Sequence, residues 1–231
     1  MLNFIKKLFA KRTQPTKPWF TDEEYNSDYK LKLQGLESVL GKVHNMVGHA
    51  VHPFAFGGMV DMYYFPNHIK GTGFATMELI NPDGNGPLPN EYGTYELVAF
   101  TKHDYGDDAE DQTPFQRIER RMCWIFSSLG MYSREAVLRP NEACILHPDH
   151  EEDICLAFDL YQPDNREFQI GDRKHHLLLC VEVFKSELEY VHEQKNGSKV
   201  YAYNNGAEEL FNKLKQAGVY PYSDLDRESV V

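Results

Sequence analysis

The stretch Arg173-Lys174-His175-His176-Leu177-Leu178-Leu179-Cys180-Val181-Glu182-Val183-Phe184-Lys185-Ser186-Glu187-Leu188-Glu189 decides the fold. Its apolar run, Leu177 to Val181, lacks polar alternation, the pattern of a strand covered on both faces. Ser186 followed by Glu189 has the form of a capping box, so a helix is expected directly after the strand. A buried central strand feeding a helix is therefore the expected centre of the core.

The neighbouring segments supply the rest of a sheet. Ile154 to Tyr161 places Ile154, Leu156, Phe158 and Leu160 on one face, and Cys144-Ile145-Leu146 precedes it as a second short strand. Upstream, Tyr95 to Thr101 reads as a strand, as do Phe74 to Ile80 and the stretch Phe54 to Phe65. The Gly/Pro-rich connections between these three predict antiparallel pairing. Thr113-Pro114-Phe115-Gln116 is an N-cap with Pro at N1 and Gln at N3. Phe115, Ile118, Met122, Ile125, Phe126 and Leu129 mark one face of the helix it opens, with Gly130 placed to end it.

Thr21 and Glu24 form another capping box, stapled by Phe20 and Tyr25. The helix that follows buries Tyr25, Tyr29, Leu33, Leu36, Leu40 and Val43 and ends near His44; Gly35 and Gly41 weaken it. A last helix opens at Asn205 and closes at Gly218, with Glu209 and Lys213 as an i,i+4 pair, and the tail from Asp224 reads as polar and turn-like. The expected fold class is α+β: a mixed, mostly antiparallel sheet flanked by helices. Residues 1–20 form an arm and a Pro-containing linker, and residues 21–231 form one domain.

The chain of 231 residues is 42% apolar and 26% charged, the balance of an ordinary globular protein. No apolar run approaches the roughly 20 residues that span a bilayer, and the first twelve residues lack the form of a signal peptide, so a cytoplasmic location is expected. Cys123, Cys144, Cys155 and Cys180 sit among apolar neighbours at irregular spacings and read as reduced, buried thiols.

Net charge is −11 from 24 basic and 35 acidic residues. Lys6, Lys7, Lys11, Arg12 and Lys17 lie in residues 1–18, which hold no acid; the body keeps 19 basic against 35 acidic residues, a balance of −16. Such a body repels nucleic-acid phosphates and favours a basic protein partner. Asp104, Asp107, Asp108, Glu110 and Asp111 concentrate this charge in one loop and are the candidate partner-binding residues. In the arm, Leu2, Phe4, Ile5, Leu8 and Phe9 alternate with the basic residues, so residues 1–12 could touch an acidic membrane surface, though a loosely docked terminus is the plainer reading. The sequence leaves the oligomeric state open.

Catalytic signatures are absent: there is no nucleophile elbow, P-loop or dinucleotide fingerprint. The reading is of a non-enzyme without cofactor or metal. The alternative is a metal-dependent hydrolase using His147, Asp149, His150 and Asp153, which crowd one loop, although their spacing matches no metal motif. His175 and His176 point to opposite faces of a strand and cannot chelate one ion. His44, His49 and His52 are a weaker metal candidate, and Glu96 and Glu182 stand in apolar strands, where such carboxylates usually face solvent or pair with Arg.

Three segments resemble the suppressor-of-fused-like family in its bacterial form. Tyr95-Glu96-Leu97-Val98 resembles the family's "ELV" strand. Leu177 to Val183, followed by Ser186-Glu187-Leu188-Glu189-Tyr190, resembles its apolar strand entering an "(S/T)xxEL" helix. The ending, Leu210 to Gly218 and then Asp226-Arg227-Glu228-Ser229-Val230, is similar to its short helix and "DxxRxSV" terminus. The resemblance implies binding rather than catalysis. Animal members grip an extended segment of a transcription factor as an added strand, and bacterial members are implicated as immunity proteins (antitoxins) that neutralise a toxin. The acidic body suits a basic toxin.

Overall fold

In the computed structural model, which describes residues 21–54, 57–106, 113–148, 152–196 and 206–231, the central strand is the longest, β8 (Arg173–Val183). The other strands are β1 (Val47–Gly48), β2 (Met62–Phe65), β3 (Thr72–Ala75), β4 (Tyr95–Thr101), β5 (Ala143–Leu146), β6 (Ile154–Leu160) and β7 (Phe168–Ile170). They form one sheet in the order β1-β2-β3-β4-β8-β6-β5, with β7 paired to the start of β8. Every pairing is antiparallel except β4 with β8, where Tyr95 lies opposite His176 and Val98 opposite Leu179.

Among the described residues four helices cover the two faces: α1 (Asp22–Leu40), α2 (Pro114–Tyr132), α3 (Lys185–Asn196) and α4 (Gly206–Gln216). Leu177, Leu179, Val181 and Val183 point into a core with Leu36 and Leu40 of α1, Leu188 of α3 and Phe211 of α4. Leu178 and Cys180 point the other way, against Met122, Ile125, Phe126 and Leu129 of α2. With both faces covered, β2, β4 and most of β8 are buried at every position and lose the alternation of a half-exposed strand. Each fully buried Leu or Phe removes enough apolar surface to contribute about 1.5–3 kcal/mol.

The helix starts follow the capping chemistry. Thr21 and Glu24 make the reciprocal box, as do Thr113 and Gln116 with Pro114 in the first turn. Phe20 of the expected staple lies outside the described residues. Four expectations are corrected. Helix α1 stops at Leu40, before His44, because Gly41 takes φ 79°. Of its expected face Leu36 and Leu40 are buried and Tyr29, Leu33 and Val43 pack half-buried against the core, but Tyr25 is 45% exposed, and Asp28, Lys32, Gly35 and Val39 are buried as well. Gly130 does not end α2, which runs to Tyr132; a Cβ there would press on Leu79 and Phe54 at 2.8 and 2.9 Å. Helix α3 begins at Lys185, one residue before the expected cap Ser186, and Glu187 rather than Glu189 accepts the backbone N–H of Phe184, at 3.0 Å.

The tail is also not a solvated turn. Tyr222 bridges Phe100, and Ser223 donates its N–H to the Phe100 carbonyl at 2.8 Å. Asp224 accepts from Thr101 Oγ1 at 2.7 Å and from the Lys102 N–H at 2.8 Å. The crevice past the carboxyl ends of parallel strands, a usual ligand position, is thus filled by the chain's own tail between β4 and β8.

Candidate functional site

The acid-rich loop contributes little geometry: Asp104 is exposed, while Asp107, Asp108, Glu110 and Asp111 lie outside the described residues. At the β5–β6 turn, His147 Nδ1 lies 2.6 Å from Asp153 Oδ1 as a half-exposed pair, with Asp149 and His150 outside the described residues. Among the described residues no three His, Cys, Asp or Glu side chains gather to hold a metal. His49 pairs with Asp61 at 2.7 Å, and His44 packs its ring against Tyr105 with centroids 4.2 Å apart.

Among the described residues the main path of the sheet ends at β1 and at β5, and β7 pairs only with β8. Strand β1 is two residues long, whereas β5 offers four extended residues. Among the described residues β5 pairs only with β6. The backbone of Asn141 and Glu142 bonds Phe158 at 2.7 and 2.9 Å, which sets the phase of the ladder. Antiparallel pairs alternate, so Cys144 and Leu146 direct their N–H and C=O groups at β6, and Ala143 and Ile145 direct theirs outward. Side chains on both sides are half-buried: Ala143 and Ile145 join the core under α3 and α4, and Cys144 and Leu146 join the core under α2. Burial pushes the Cys144 thiol up to about 12, so it is no nucleophile. Around this edge stand the exposed acids Glu152, Asp153 and Glu189. The edge therefore presents rigid outward hydrogen-bonding groups between apolar walls with an acidic rim, and it has no reactive group.

Buried charges supply rigidity rather than reactivity. Lys32 donates to the carbonyls of Met77 and Ile80 at 2.7 and 2.6 Å and pairs with Asp28 and Glu96 at 3.5 and 3.6 Å. Glu96 faces neither solvent nor an arginine. It accepts from Thr76 Oγ1 and the N–H groups of Leu79 and Ile80, and complete burial still raises its pKa against the pull of Lys32. Asp28 also takes a hydrogen bond from Arg173 at the head of β8. Glu182 does pair with an arginine: Arg121 Nε reaches its two oxygens at 2.9 and 2.7 Å. Sequence reasoning missed Asp28 and Lys32 because an apolar-face search discards charges, yet both share a helical stripe with Gly35 and Val39.

Four further titratable groups are shifted by burial or by their partners. Burial lowers His175 and His176 to about 4, and Thr94 Oγ1 lies 2.7 Å from His175 Nδ1. Burial raises Glu78 to about 7, against the lowering effect of its hydrogen bond from the Asp61 N–H. Glu187 is held below its ordinary value despite burial, by the Arg227 guanidinium at 2.6 and 2.7 Å and the N–H groups of Val230 and Phe184. That pair locks the tail onto α3.

No family model and no curated protein matches the sequence. Among solved structures, the chain aligns with one in the Sufu–Fu complex crystal structure at a TM-score of 0.55 and 14% identity, over 88% of this chain and 92% of that one. The fold is suppressor-of-fused-like. At this identity the likeness extends to the fold alone. No described helix is long and apolar enough to cross a membrane.

Proposed function

We propose that this chain is a non-catalytic protein-binding module, and more narrowly an immunity protein that neutralises a basic bacterial toxin in the cytoplasm. The single observation that carries the binding role is the β5 edge, which among the described residues pairs only with β6 and directs the backbone groups of Ala143 and Ile145 outward. Such an edge takes an extended segment by strand addition, backbone bonds giving affinity and flanking side chains specificity. The neighbour's presence in a complex with another protein supports the same class of function. The toxin assignment rests on charge: a balance of −16 in the body, from 19 basic and 35 acidic residues, suits a basic partner and speeds its encounter.

Co-purification of the tagged protein with the product of its neighbouring gene, at low and high salt, tests this reading. A complex that weakens with salt is expected. Reversing Asp104, Asp107 and Asp108 should slow association about tenfold and flatten the salt dependence. Unchanged affinity and salt slope would remove the acidic loop from the interface, and capture of no partner at either salt would remove the toxin assignment. The hydrolase alternative predicts stoichiometric zinc or manganese in the purified protein, lost in His147→Ala/His150→Ala.

A further inference from the structure

We propose that Asn90, His176 and Leu138 form an acid-released clasp, which holds the loop of residues 88–93 shut while His176 is neutral and lets it go when the ring is protonated.

The clasp is a hydrogen-bond chain of fixed polarity. Asn90 Oδ1 accepts the Tyr92 N–H at 2.9 Å, and Asn90 Nδ2 donates to the Leu138 carbonyl at 2.9 Å. These two backbone partners decide which way the amide points. Its Nδ2 also lies 3.2 Å from His176 Nε2, so that ring nitrogen has to accept, and the proton of the neutral ring sits on Nδ1. Nδ1 faces the Tyr92 backbone, though without a well-formed hydrogen bond among the described residues. Further contacts tie the loop down around this chain. Asn90 and Gly93 exchange N–H···O=C bonds at 3.1 and 3.0 Å, and Leu88 donates its N–H to the Ser133 carbonyl at 2.7 Å. The Tyr92 ring packs edge-on against His176, with centroids 5.8 Å apart.

A second proton on His176 breaks this pattern. It aims Nε2–H at the Asn90 amide nitrogen, donor against donor. Turning the amide over would offer His176 an oxygen, but it would set Nδ2 against the Tyr92 N–H and Oδ1 against the Leu138 carbonyl, losing two bonds for one. The ring is only 6% exposed, so its charge would also be buried. The titratable groups facing it are Tyr92 of the loop, Tyr95 of β4 with ring centroids 5.3 Å apart, and His175 beside it in β8. Two phenols and an imidazole cannot neutralise an imidazolium. His175 in turn meets Arg173, Lys32 and Asp28, and Glu91 of the loop pairs with Arg139 at 3.9 Å. Opening is the way out. Burial holds the closed ring at about 4, whereas a ring in water titrates near 6.5, so acid favours the open loop. Release also frees the Leu138 carbonyl, in the segment that leads through Asn141 and Glu142 into β5.

Hydrogen exchange on the full-length protein tests the clasp without any partner, so its outcome is separate from that of the binding reading. Between about pH 7.5 and about pH 5 the Asn90, Tyr92 and Gly93 amides should lose roughly thirtyfold in protection, the linkage expected for a ring held at about 4 rather than 6.5. They should stay less protected than the Leu97 and Leu179 amides of the sheet, the mark of a local opening. His176→Gln keeps an acceptor that does not titrate and should abolish the acid effect. Asn90→Asp keeps the acceptor for the Tyr92 N–H and sets a carboxylate beside His176, so acid should tighten the loop instead of loosening it. If His176→Gln fails to fold, Asn90→Asp and the tautomer decide: nitrogen NMR near neutral pH should find the His176 proton on Nδ1. A proton on Nε2 overturns the clasp. So do equal protection at the two pH values, loop amides exchanging only as fast as Leu97 and Leu179, and an acid effect unchanged in either variant.

Discussion

Glu78 and the histidines heading β8 give stability opposite pH dependences. Burial holds His175 and His176 neutral, at about 4, so the unfolded chain binds the protons they refuse, and stability falls as pH drops from about 6.5 toward 4. Glu78 has the reverse sign. Its carboxyl is raised to about 7, so the folded state keeps a proton that the unfolded chain releases near 4.5, and stability falls as pH rises through that window. Glu78→Gln keeps an acceptor for the Asp61 N–H without the buried charge. It should stabilise the protein at pH 8 by roughly 1–3 kcal/mol, a gain that vanishes near pH 4.5; thermal melts at the two pH values check this. Glu187 behaves as a buried, satisfied anion. Glu187→Gln leaves Arg227, whose side chain is 8% exposed, without its counter-charge and should cost about 3–5 kcal/mol by urea unfolding. A Glu187→Leu/Arg227→Met pair should recover only part of that loss, since it strands no charge but leaves the N–H groups of Phe184 and Val230 without their acceptor.

At the scale of elements, β8 and α2 were legible because pattern and packing agree: an apolar run without alternation means two covered faces, and six apolar positions at helical spacing mean one. Strand β4 was legible for the same reason. Helix α1 was not. Its buried stripe passes through Asp28, Lys32 and Gly35, and only tertiary partners, the Met77 and Ile80 carbonyls and Glu96, make those positions interior. Sequence alone treats Gly35 as a weakness worth up to about 1 kcal/mol relative to Ala. The structure reverses the sign: a Cβ at Gly35 would overlap the backbone carbonyl of Gln169, because α1 crosses β7 at backbone contact. Gly35→Ala should therefore destabilise, by about 1–3 kcal/mol despite better helix propensity, read as a lower urea midpoint at unchanged slope. The tail was illegible for a related reason, since Ser223 and Asp224 are polar residues buried by long-range hydrogen bonds.

For the molecule as a whole, the question is which part of a well-satisfied structure remains open to a partner. Both sheet faces are covered by helices, and the crevice beyond β4 and β8 is filled by Tyr222 to Asp224. Among the described residues the sheet's main path ends at β1, two residues long, and at β5, which is long enough to template a strand. An exposed edge is a liability in a free protein, tolerated when short or flanked by charge; β5 is four residues long with Glu152, Asp153 and Glu189 nearby, which fits an edge kept for a partner of opposite charge. The position of the candidate edge could not be read from the sequence, because pairing order depends on contacts between β4, β6 and β8 far apart in the chain. The outward N–H of Ile145 allows a direct test. Ile145→Pro removes that donor while leaving the β6-facing groups of Cys144 and Leu146, and proline is tolerated on an edge strand. Ile145→Ala removes the same packing but keeps the donor. The two variants should be similarly stable, within about 1 kcal/mol, while only Ile145→Pro weakens partner binding by about tenfold, the worth of one well-made hydrogen bond at a dry edge. Equal affinities in the two variants would mean that the partner reads side chains or charge and adds no strand at β5.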